Sequence, residues 1–222
     1  MPLLEAQNVS YVYKGKNRLT RAVNSVTAAF DPGFLYIIMG KSGSGKTTFL
    51  SLLAGLDSPS EGSIFFRGTD ICSLNKDAYR RSHIAMIYQL YNLFPHLNVL
   101  ENVMLPLLIN QSEKKAAECA AIESLALVGL HSAFLKRKPG MLSGGEQQRT
   151  AIARALAGNS DVILADEPTG NLDIENSQMI ASSLVRIAHE KEKCVIMVTH
   201  DILMADYADH RLVMRDGRIF AD

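Results

Sequence analysis

Two glycine-rich motifs about a hundred residues apart in this chain have the composition of phosphate-binding segments. The first, Gly40–Thr47, follows the pattern G-x-x-x-x-G-K-[ST], in which glycines let successive backbone N–H groups point at anionic oxygens. In this pattern we expect Lys46 to reach the β- and γ-phosphates and the Thr47 hydroxyl to ligate Mg²⁺. The second, Leu142–Gln147, places a serine and two glycines before a helical pattern. Together they predict a nucleotide shared between two copies of the chain.

The segments on either side of the first motif predict a strand, a loop and a helix. Phe34–Met39 is a short apolar run with aromatic and β-branched residues, which favours a buried parallel strand. Thr47–Ala54 carries large apolar residues at helical spacing, and Gly55 is a suitable stop. A glycine loop that opens a helix binds anions with its N–H groups and the helix dipole. The nucleotide contacts expected from this segment are Gly40, Lys41, Ser42, Gly43, Ser44, Gly45, Lys46, Thr47 and Thr48.

A buried strand ends in two acids at Asp166 and Glu167. In a parallel α/β sheet, ligands lie at the carboxyl ends of the strands. Asp166 is therefore placed to hold Mg²⁺, directly or through water, and Glu167 to polarise the water that attacks the γ-phosphate. Acids are also common at solvated strand ends, and the phosphate loop upstream is what favours the chemical role.

The composition excludes some functions. The chain has 222 residues, 47% of them hydrophobic, which allows one or two compact units with a substantial core. It has 23 basic and 23 acidic residues and no net formal charge, so we expect no nucleic-acid partner. No apolar run is long enough to span a bilayer, and Met1–Glu5 does not open a secretory signal. The three scattered cysteines fit a reducing compartment.

Leu142–Arg149 resembles the signature motif of the ATP-binding cassette (ABC) ATPases. Other motifs follow that family's order over nearly the whole chain. Gln89, after the strand pattern Ile84–Tyr88, resembles the Q-loop glutamine, and Asp173 resembles the D-loop aspartate. His200, after another apolar strand, resembles the switch histidine, and Tyr13 resembles the aromatic residue that stacks on adenine.

The resemblance implies an α/β fold of the P-loop ABC type, with a mostly parallel core sheet, an antiparallel N-terminal sheet and an inserted helical subdomain. We expect one ABC ATPase domain over residues 1–222. Residues 1–88 and 158–222 would form the RecA-like core with its antiparallel β part, and residues 89–157 the helical subdomain with the signature motif. The sequence predicts antiparallel strands around Leu4–Val12 and Ala22–Phe30. It predicts helices over Asn98–Leu108, interrupted by Pro106, over Ser112–Leu127 and over Gln147–Leu156.

The resemblance also implies ATP and Mg²⁺ as ligands and a head-to-tail homodimer in the ATP-bound state. Each ATP would lie between one subunit's phosphate loop and the other subunit's signature motif. Glu167, His200 and Gln89 would be catalytic, and Thr47, Gln89 and Asp166 would hold the metal. The further nucleotide contacts implied are Tyr13, Ser143, Gly144, Gly145, Glu146 and Asp173.

Three of these assignments have alternatives in the sequence. Ser143 and the glycines after it also fit an ordinary helix cap and turn. His200 also fits a structural hydrogen-bonding histidine at a strand end. Tyr11 lies two residues before Tyr13 and faces the same side of the predicted strand; Lys14–Gly15, which follows Tyr13 as in family members, favours Tyr13.

The stretch Leu90–Asn102 is rich in large apolar and aromatic residues. It fits either an interface or a local core under the helical region. In the family this segment forms the groove that receives a coupling helix of the transmembrane permease subunit. The resemblance therefore implies that Tyr91, Leu93 and Phe94 line that groove, and that the protein is peripheral on the cytoplasmic face of the cell membrane.

Asp166–Asp173 and Asn92–Pro95 are similar to the group that serves lipoprotein release, macrolide export, antimicrobial-peptide export and cell division. Two functions follow from this. The resemblance implies that the chain is either the ATPase subunit of an exporter or extractor, or an ATPase that transmits force through a membrane partner to a cell-wall hydrolase without transport. A soluble ABC ATPase of DNA repair or translation fits poorly, because the sequence has neither a long coiled coil nor a second cassette.

Overall fold

The computed structural model describes residues 1–15 and 19–221, and these residues form ten strands in two sheets and six α-helices. The strands are β1 Leu4–Lys14, β2 Leu19–Phe30, β3 Leu35–Met39, β4 Glu61–Phe66, β5 Thr69–Asp70, β6 Ile84–Tyr88, β7 Val162–Asp166, β8 Cys194–Thr199, β9 His210–Arg215 and β10 Arg218–Ala221. The helices are α1 Lys46–Leu53, α2 Lys76–His83, α3 Val99–Ile109, α4 Lys114–Leu127, α5 Gly144–Ala157 and α6 Ile174–Glu190.

The larger sheet has the strand order β10-β9-β3-β8-β7-β6. Its strands are parallel from β9 to β6, and β10 is antiparallel to β9. Strands β3, β7 and β8 are buried nearly throughout, as expected for a parallel sheet that is covered on both faces. Because parallel strands end at one edge, the segments after β3, β8, β7 and β6 meet there.

The smaller sheet has the order β2-β1-β4-β5 and is antiparallel, as the sequence predicts. Its apolar face packs with α1 and one face of the larger sheet into a single core, in which Leu4, Val26 and Phe49 are fully buried or nearly so. The fold class predicted from the sequence is therefore confirmed. This packing fixes α1, and with it the phosphate loop, against the sheet edge.

Helices α3, α4 and α5 pack against one another and share a core with the opposite face of the larger sheet. They occupy most of residues 89–157, although Leu90–Asn98 is irregular rather than helical. None of the helices in residues 1–15 and 19–221 has the length and apolar character to cross a bilayer.

Pro106 does not interrupt α3, contrary to the expectation from the sequence. The helix continues to Ile109, and Asn110 N donates to the Pro106 carbonyl oxygen at 3.1 Å. Pro106 cannot donate to the carbonyl oxygen four residues earlier, but its ring has room beside Gly158, where even an added Cβ would stay 3.7 Å away. Helix α2 and the antiparallel pairing of β9 with β10 are features that the sequence analysis does not predict.

Candidate nucleotide site

The phosphate loop lies between β3 and α1 and depends on glycine at specific positions. Gly43 and Gly45 have φ of 79° and 105°, which side chains rarely adopt. A Cβ at Gly45 would collide with the Ala22 carbonyl oxygen of β2, and a Cβ at Gly40 would collide with the Met214 carbonyl oxygen of β9. Residues 41–43 form an exposed rim. The loop is thus a backbone surface held tightly against both sheets.

The inner wall of the loop is suited to an anion. Gly45 is the N-cap of α1 and, among the described residues, no side chain caps this helix, so its first N–H groups stay available. Ser44 Oγ is buried without a hydrogen-bond partner in the described part of the chain. A hydroxyl in that position is costly unless it is satisfied, and a phosphate oxygen can satisfy it. The loop therefore fits the phosphate groups of a nucleotide.

Lys46 turns its ammonium group into the loop. Its side chain is 6% exposed, and Nζ donates to the carbonyl oxygens of Gly40 at 2.7 Å and Lys41 at 3.2 Å. Nζ also lies 3.5 Å from Glu167 Oε1. A buried cation needs such partners. The lysine is therefore already positioned at the mouth of the loop, with a carboxylate as its neighbour.

The two acids at the end of β7 have different surroundings. Asp166 Oδ1 accepts a hydrogen bond from Thr47 Oγ1 at 3.0 Å. Burial raises the pKa of Asp166, the hydrogen bond from Thr47 opposes that rise, and the Glu167 charge adds to it. Within residues 1–15 and 19–221 there is no cluster of three His, Cys, Asp or Glu side chains for a metal. The hydroxyl and the carboxylate nevertheless form a pair of hard oxygen donors that fits Mg²⁺.

Glu167 adopts a left-handed φ of 48°, and its N–H donates to the Val198 carbonyl oxygen at 3.0 Å. Its side chain is 15% exposed and lies between two cationic or potentially cationic groups. Oε2 accepts from the His200 N–H at 3.2 Å and lies 2.9 Å from His200 Nδ1, while Oε1 faces Lys46. The structure therefore joins residues from three predicted motifs through one carboxylate.

Gln89 is exposed immediately after β6, beside the same sheet edge. Its carbonyl oxygen accepts from Asn171 Nδ2 at 3.3 Å, and its Nε2 would lie 2.9 Å from a Cβ added to Gly170. The Gly170 N–H in turn donates to the Glu167 carbonyl oxygen at 3.1 Å. The Gln89 side chain thus lies against the segment that follows the acids.

Tyr13 is 48% exposed, and its hydroxyl is hydrogen-bonded to Thr48 Oγ1 at 3.2 Å. The Tyr11 ring contacts the Tyr13 ring edge-on, with centroids 4.9 Å apart, but Tyr11 is less exposed. Of the two tyrosines, Tyr13 is the one that stands beside the phosphate-loop helix with an accessible ring.

The signature motif forms the start of α5. Ser143 is the N-cap, its Oγ accepts from Glu146 N at 3.3 Å, and Glu146 Oε2 accepts from Ser143 N at 2.7 Å. The expectation that the helix begins at Gln147 is wrong, because this capping box starts it at Gly144. Gly145 is buried rather than outward-facing, and a Cβ there would collide with Asn176. The Glu146 carboxylate is engaged in capping.

Asp173 is the N-cap of α6 and accepts from Asn176 N at 2.8 Å. The hydrogen bonds from the Asn176 backbone and side chain lower the pKa of Asp173. Within residues 1–15 and 19–221, no hydrogen bond or ion pair joins Ser143–Glu146 to the phosphate loop. The structure brings the phosphate loop, the acids, Gln89 and His200 together and leaves the signature motif outside that group.

Sequence reasoning missed two polar residues near the site, the buried Asn102 and the half-buried Arg154. Asn102 is 0% exposed; its amide donates to the carbonyl oxygens of Phe94, Leu97 and Asn98 and accepts from Phe94 N. The Arg154 guanidinium donates to the carbonyl oxygens of Tyr91 and Asn92. Arg154 has a sequence signal, since it is a lone polar residue between two alanines, whereas Asn102 follows Glu101 and has no such signal.

Known proteins resemble this chain throughout. The model of the family described as ABC transporter matches residues 23–170. The Bacillus subtilis (strain 168) protein YclH, an uncharacterised ABC transporter ATP-binding protein, is 40% identical over 98% of this chain and 95% of its own length. The macrolide export ATP-binding/permease protein MacB of Pasteurella multocida (strain Pm70) is 40% identical over 100% of this chain and 34% of its own length. The chain therefore spans about a third of MacB.

Among solved structures, the dimeric structure of the bacterial ABC transporter cassette MJ0796 matches with a TM-score of 0.89 and 37% identity. The match covers 97% of this chain and 96% of that one. A second MJ0796 structure, a post-hydrolysis state bound to ADP and Pi, matches equally well.

The sheet order and the phosphate loop thus define an ATP-binding cassette fold. The chain belongs to the ABC transporter family and is an ATPase of that family.

We expect Asp166→Asn to lower ATP hydrolysis by about 100-fold while stabilising the nucleotide-free protein. Because burial raises the pKa of Asp166, the stability linked to its proton is present at low pH and is lost as pH rises through that pKa. Above it, the charged carboxylate is destabilising, and asparagine removes the charge while still accepting from Thr47. Thermal unfolding at pH 8 and at pH 4 measures the effect, with the larger rise in Tm at pH 8.

Asp206→Asn is the matched control, because Asp206 is 84% exposed in a surface pair with Arg211. That variant should keep both its Tm and its turnover. Normal hydrolysis by Asp166→Asn, or a lower Tm at pH 8, would contradict the role and the environment given to this carboxylate.

Proposed function

We propose that the chain powers a membrane ABC transporter of the export type, in which it binds a permease subunit through the segment after Gln89. The observation that carries this proposal is the junction of two features at the end of β6. Gln89 lies against the segment that follows the acids, and two apolar residues after it are exposed, with Leu90 74% and Phe94 50% exposed. The relative MacB, whose name combines macrolide export, ATP binding and a permease, supports export over force transmission to a cell-wall hydrolase.

Within one chain, the phosphate loop would bind the triphosphate through its backbone N–H groups and Lys46, with Tyr13 against the base. Thr47, Asp166 and Gln89 would hold Mg²⁺, which neutralises phosphate charge when bound. Glu167 would polarise the attacking water, and His200 would contact the γ-phosphate. The 2.9 Å contact between Glu167 and His200 supports a joint role for these two side chains.

The second wall of the site would come from another copy. Gly144 and Gly145 open α5 with N–H groups at its positive end, directly after the N-cap Ser143, and within the described residues none of the three makes a polar contact with the phosphate loop. Asp173, the N-cap of α6, is also exposed. The dimeric structure of MJ0796 supports a homodimer, and we expect this dimer to form when ATP is bound. Binding through a permease would place the dimer peripherally on the cytoplasmic face of the membrane.

The partner surface we propose consists of Tyr91, Leu93 and Phe94. Its backbone is ordered by Asn102, whose side chain hydrogen-bonds to both N–H and C=O of Phe94 at 2.8 and 3.1 Å. The Phe94 ring is therefore presented by a fixed loop rather than collapsed into the helical core. An exposed aromatic residue on an ordered backbone is a common anchor of protein interfaces.

We expect Phe94→Asp to reduce recovery of the membrane subunit about tenfold or more when the tagged chain is purified from solubilised membranes. The substitution places a charge in an apolar contact and leaves the backbone bonds to Asn102 intact. Phe220→Asp is the matched control, because Phe220 is 51% exposed on β10, at the opposite edge of the larger sheet. Undiminished recovery with Phe94→Asp would remove this surface from the proposal.

A further inference from the structure

Arg154 makes unusual contacts for a residue with no direct part in the chemistry. It lies late in α5, the helix that opens with the signature motif, and its guanidinium is directed at the segment after Gln89. Nη1 donates to the Asn92 carbonyl oxygen at 2.6 Å, and Nη2 donates to the Tyr91 carbonyl oxygen at 2.9 Å. A planar guanidinium can hold two adjacent carbonyl groups at once, which a lysine ammonium on its flexible chain does poorly.

The two carbonyl groups belong to a strained turn. Tyr91 and Asn92 have φ of 62° and 46°, so two successive residues with side chains adopt the left-handed region. The Asn92 N–H donates to the Leu90 carbonyl oxygen at 2.6 Å, which tightens the turn. Backbone of this kind persists only where its surroundings hold it. The Tyr91 N–H donates to the Tyr88 carbonyl oxygen at 3.1 Å, and Arg154 adds side-chain support because it binds both carbonyl groups of the turn.

The Tyr91–Asn92 turn sets the positions of the residues before it and after it. On its N-terminal side is Gln89, whose carbonyl oxygen is held by Asn171 and whose side chain lies against Gly170. On its C-terminal side are Leu93 and Phe94 of the proposed partner surface. The Tyr91 hydroxyl would lie 3.0 Å from a Cβ added to Gly144, so the same residue also contacts the signature motif.

We propose that Arg154 is a positioning residue that holds the left-handed Tyr91–Asn92 turn and thereby aligns Gln89 with the nucleotide site. It also joins the partner surface to the helix that carries the signature motif, so that displacement of one moves the other. This inference rests on the proposed role of Gln89, and it assigns no contact between Arg154 and the nucleotide.

The first test compares Arg154→Met and Arg154→Lys in the isolated chain. We expect kcat for ATP hydrolysis to fall on the order of tenfold in Arg154→Met, with a smaller loss in Arg154→Lys, because misplaced groups lose rate steeply. KM for ATP should stay unchanged, since the phosphate loop is not altered. The matched control is Arg186→Met, which removes an exposed arginine that pairs with Glu190 on α6 and should leave kcat unchanged.

The decisive test is rescue by glycine at the turn. Glycine adopts positive φ without the steric cost of a side chain, so Asn92→Gly should let the turn form without the guanidinium. We expect Asn92→Gly to restore most of kcat in the Arg154→Met background and also in the Arg154→Lys background. If Arg154→Met does not fold, the comparison of Arg154→Lys with and without Asn92→Gly still tests the inference. Recovery is not expected if Arg154 serves only to pack α5.

A kcat within twofold of wild type in both Arg154 variants would overturn the inference, and so would folded variants that Asn92→Gly does not restore. Glu167→Gln, measured in the same assay, separates this outcome from a failure of the proposed site. If Glu167→Gln abolishes hydrolysis while the Arg154 variants keep it, only the positioning role is wrong. If Glu167→Gln retains the wild-type rate, the site itself is wrong.

Discussion

Glu167→Gln is expected to lower ATP hydrolysis by about 10²- to 10⁴-fold while ATP binding is retained. Glutamine has the size of glutamate and can still accept a hydrogen bond from the His200 N–H, so the local structure should persist. It lacks the negative charge needed to polarise water. The loss of the Lys46 contact at 3.5 Å should free the ammonium for phosphate, so ATP affinity should be unchanged or higher. Phosphate release and nucleotide titration measure the two effects.

The same variant should accumulate as an ATP-bound dimer, which sedimentation can detect. Glu190→Gln is the control, because Glu190 is 55% exposed at the end of α6 and pairs only with a neighbouring arginine among the described residues. Wild-type turnover by Glu167→Gln would refute the role given to its carboxylate. If ATP and this variant yield only single protomers, even together with the permease, the shared nucleotide site is refuted.

Ser143→Asp is expected to reduce turnover by about 100-fold and to leave the ATP affinity of the monomer nearly intact. Aspartate is as good an N-cap as serine, so the start of α5 should remain formed. Its carboxylate would face the triphosphate held by the other subunit, and like charges at such a distance repel. Turnover and monomer affinity should therefore respond differently, which separates a contact across the interface from one within the chain.

Asn75→Asp supplies the matched control for that substitution. Asn75 is the N-cap of α2 and accepts from Ala78 N at 2.9 Å, so aspartate again preserves a cap and adds one negative charge. It should change neither turnover nor affinity. An equal loss of monomer binding in Ser143→Asp would mean that the signature motif acts within its own chain.

Much of the site's layout follows from the sequence because the motifs terminate buried strands. β3 and β8 read as continuous apolar runs, and β7 ends in its acids. Parallel strands bring such ends to one edge whatever the details of packing. The approach of Glu167 to both Lys46 and His200 follows from that rule together with the left-handed φ at Glu167.

The errors in helix limits have local causes. The S-x-x-E pattern of Ser143 and Glu146 signals a capping box, but two glycines in the first turn have low helix propensity and obscure it. The hairpin between β9 and β10 also has a sequence signal, the pair Asp216-Gly217, which is typical of tight hairpin turns. Both residues adopt the positive φ that such a turn requires. The contacts of Arg154 with Tyr91 and Asn92 join residues distant in the chain, and no local pattern encodes them.

The ion pair between Lys46 and Glu167 has a consequence for the resting enzyme. Its loop lysine already has a counter-ion, so nucleotide entry is an exchange of one anion for another rather than simple attraction to a vacant cation. Exchange favours a highly charged triphosphate over the monovalent salts of the medium. In the proposed mechanism, the incoming triphosphate would release the Glu167 carboxylate from Lys46, so the nucleotide-free protein would keep this carboxylate paired until a triphosphate binds.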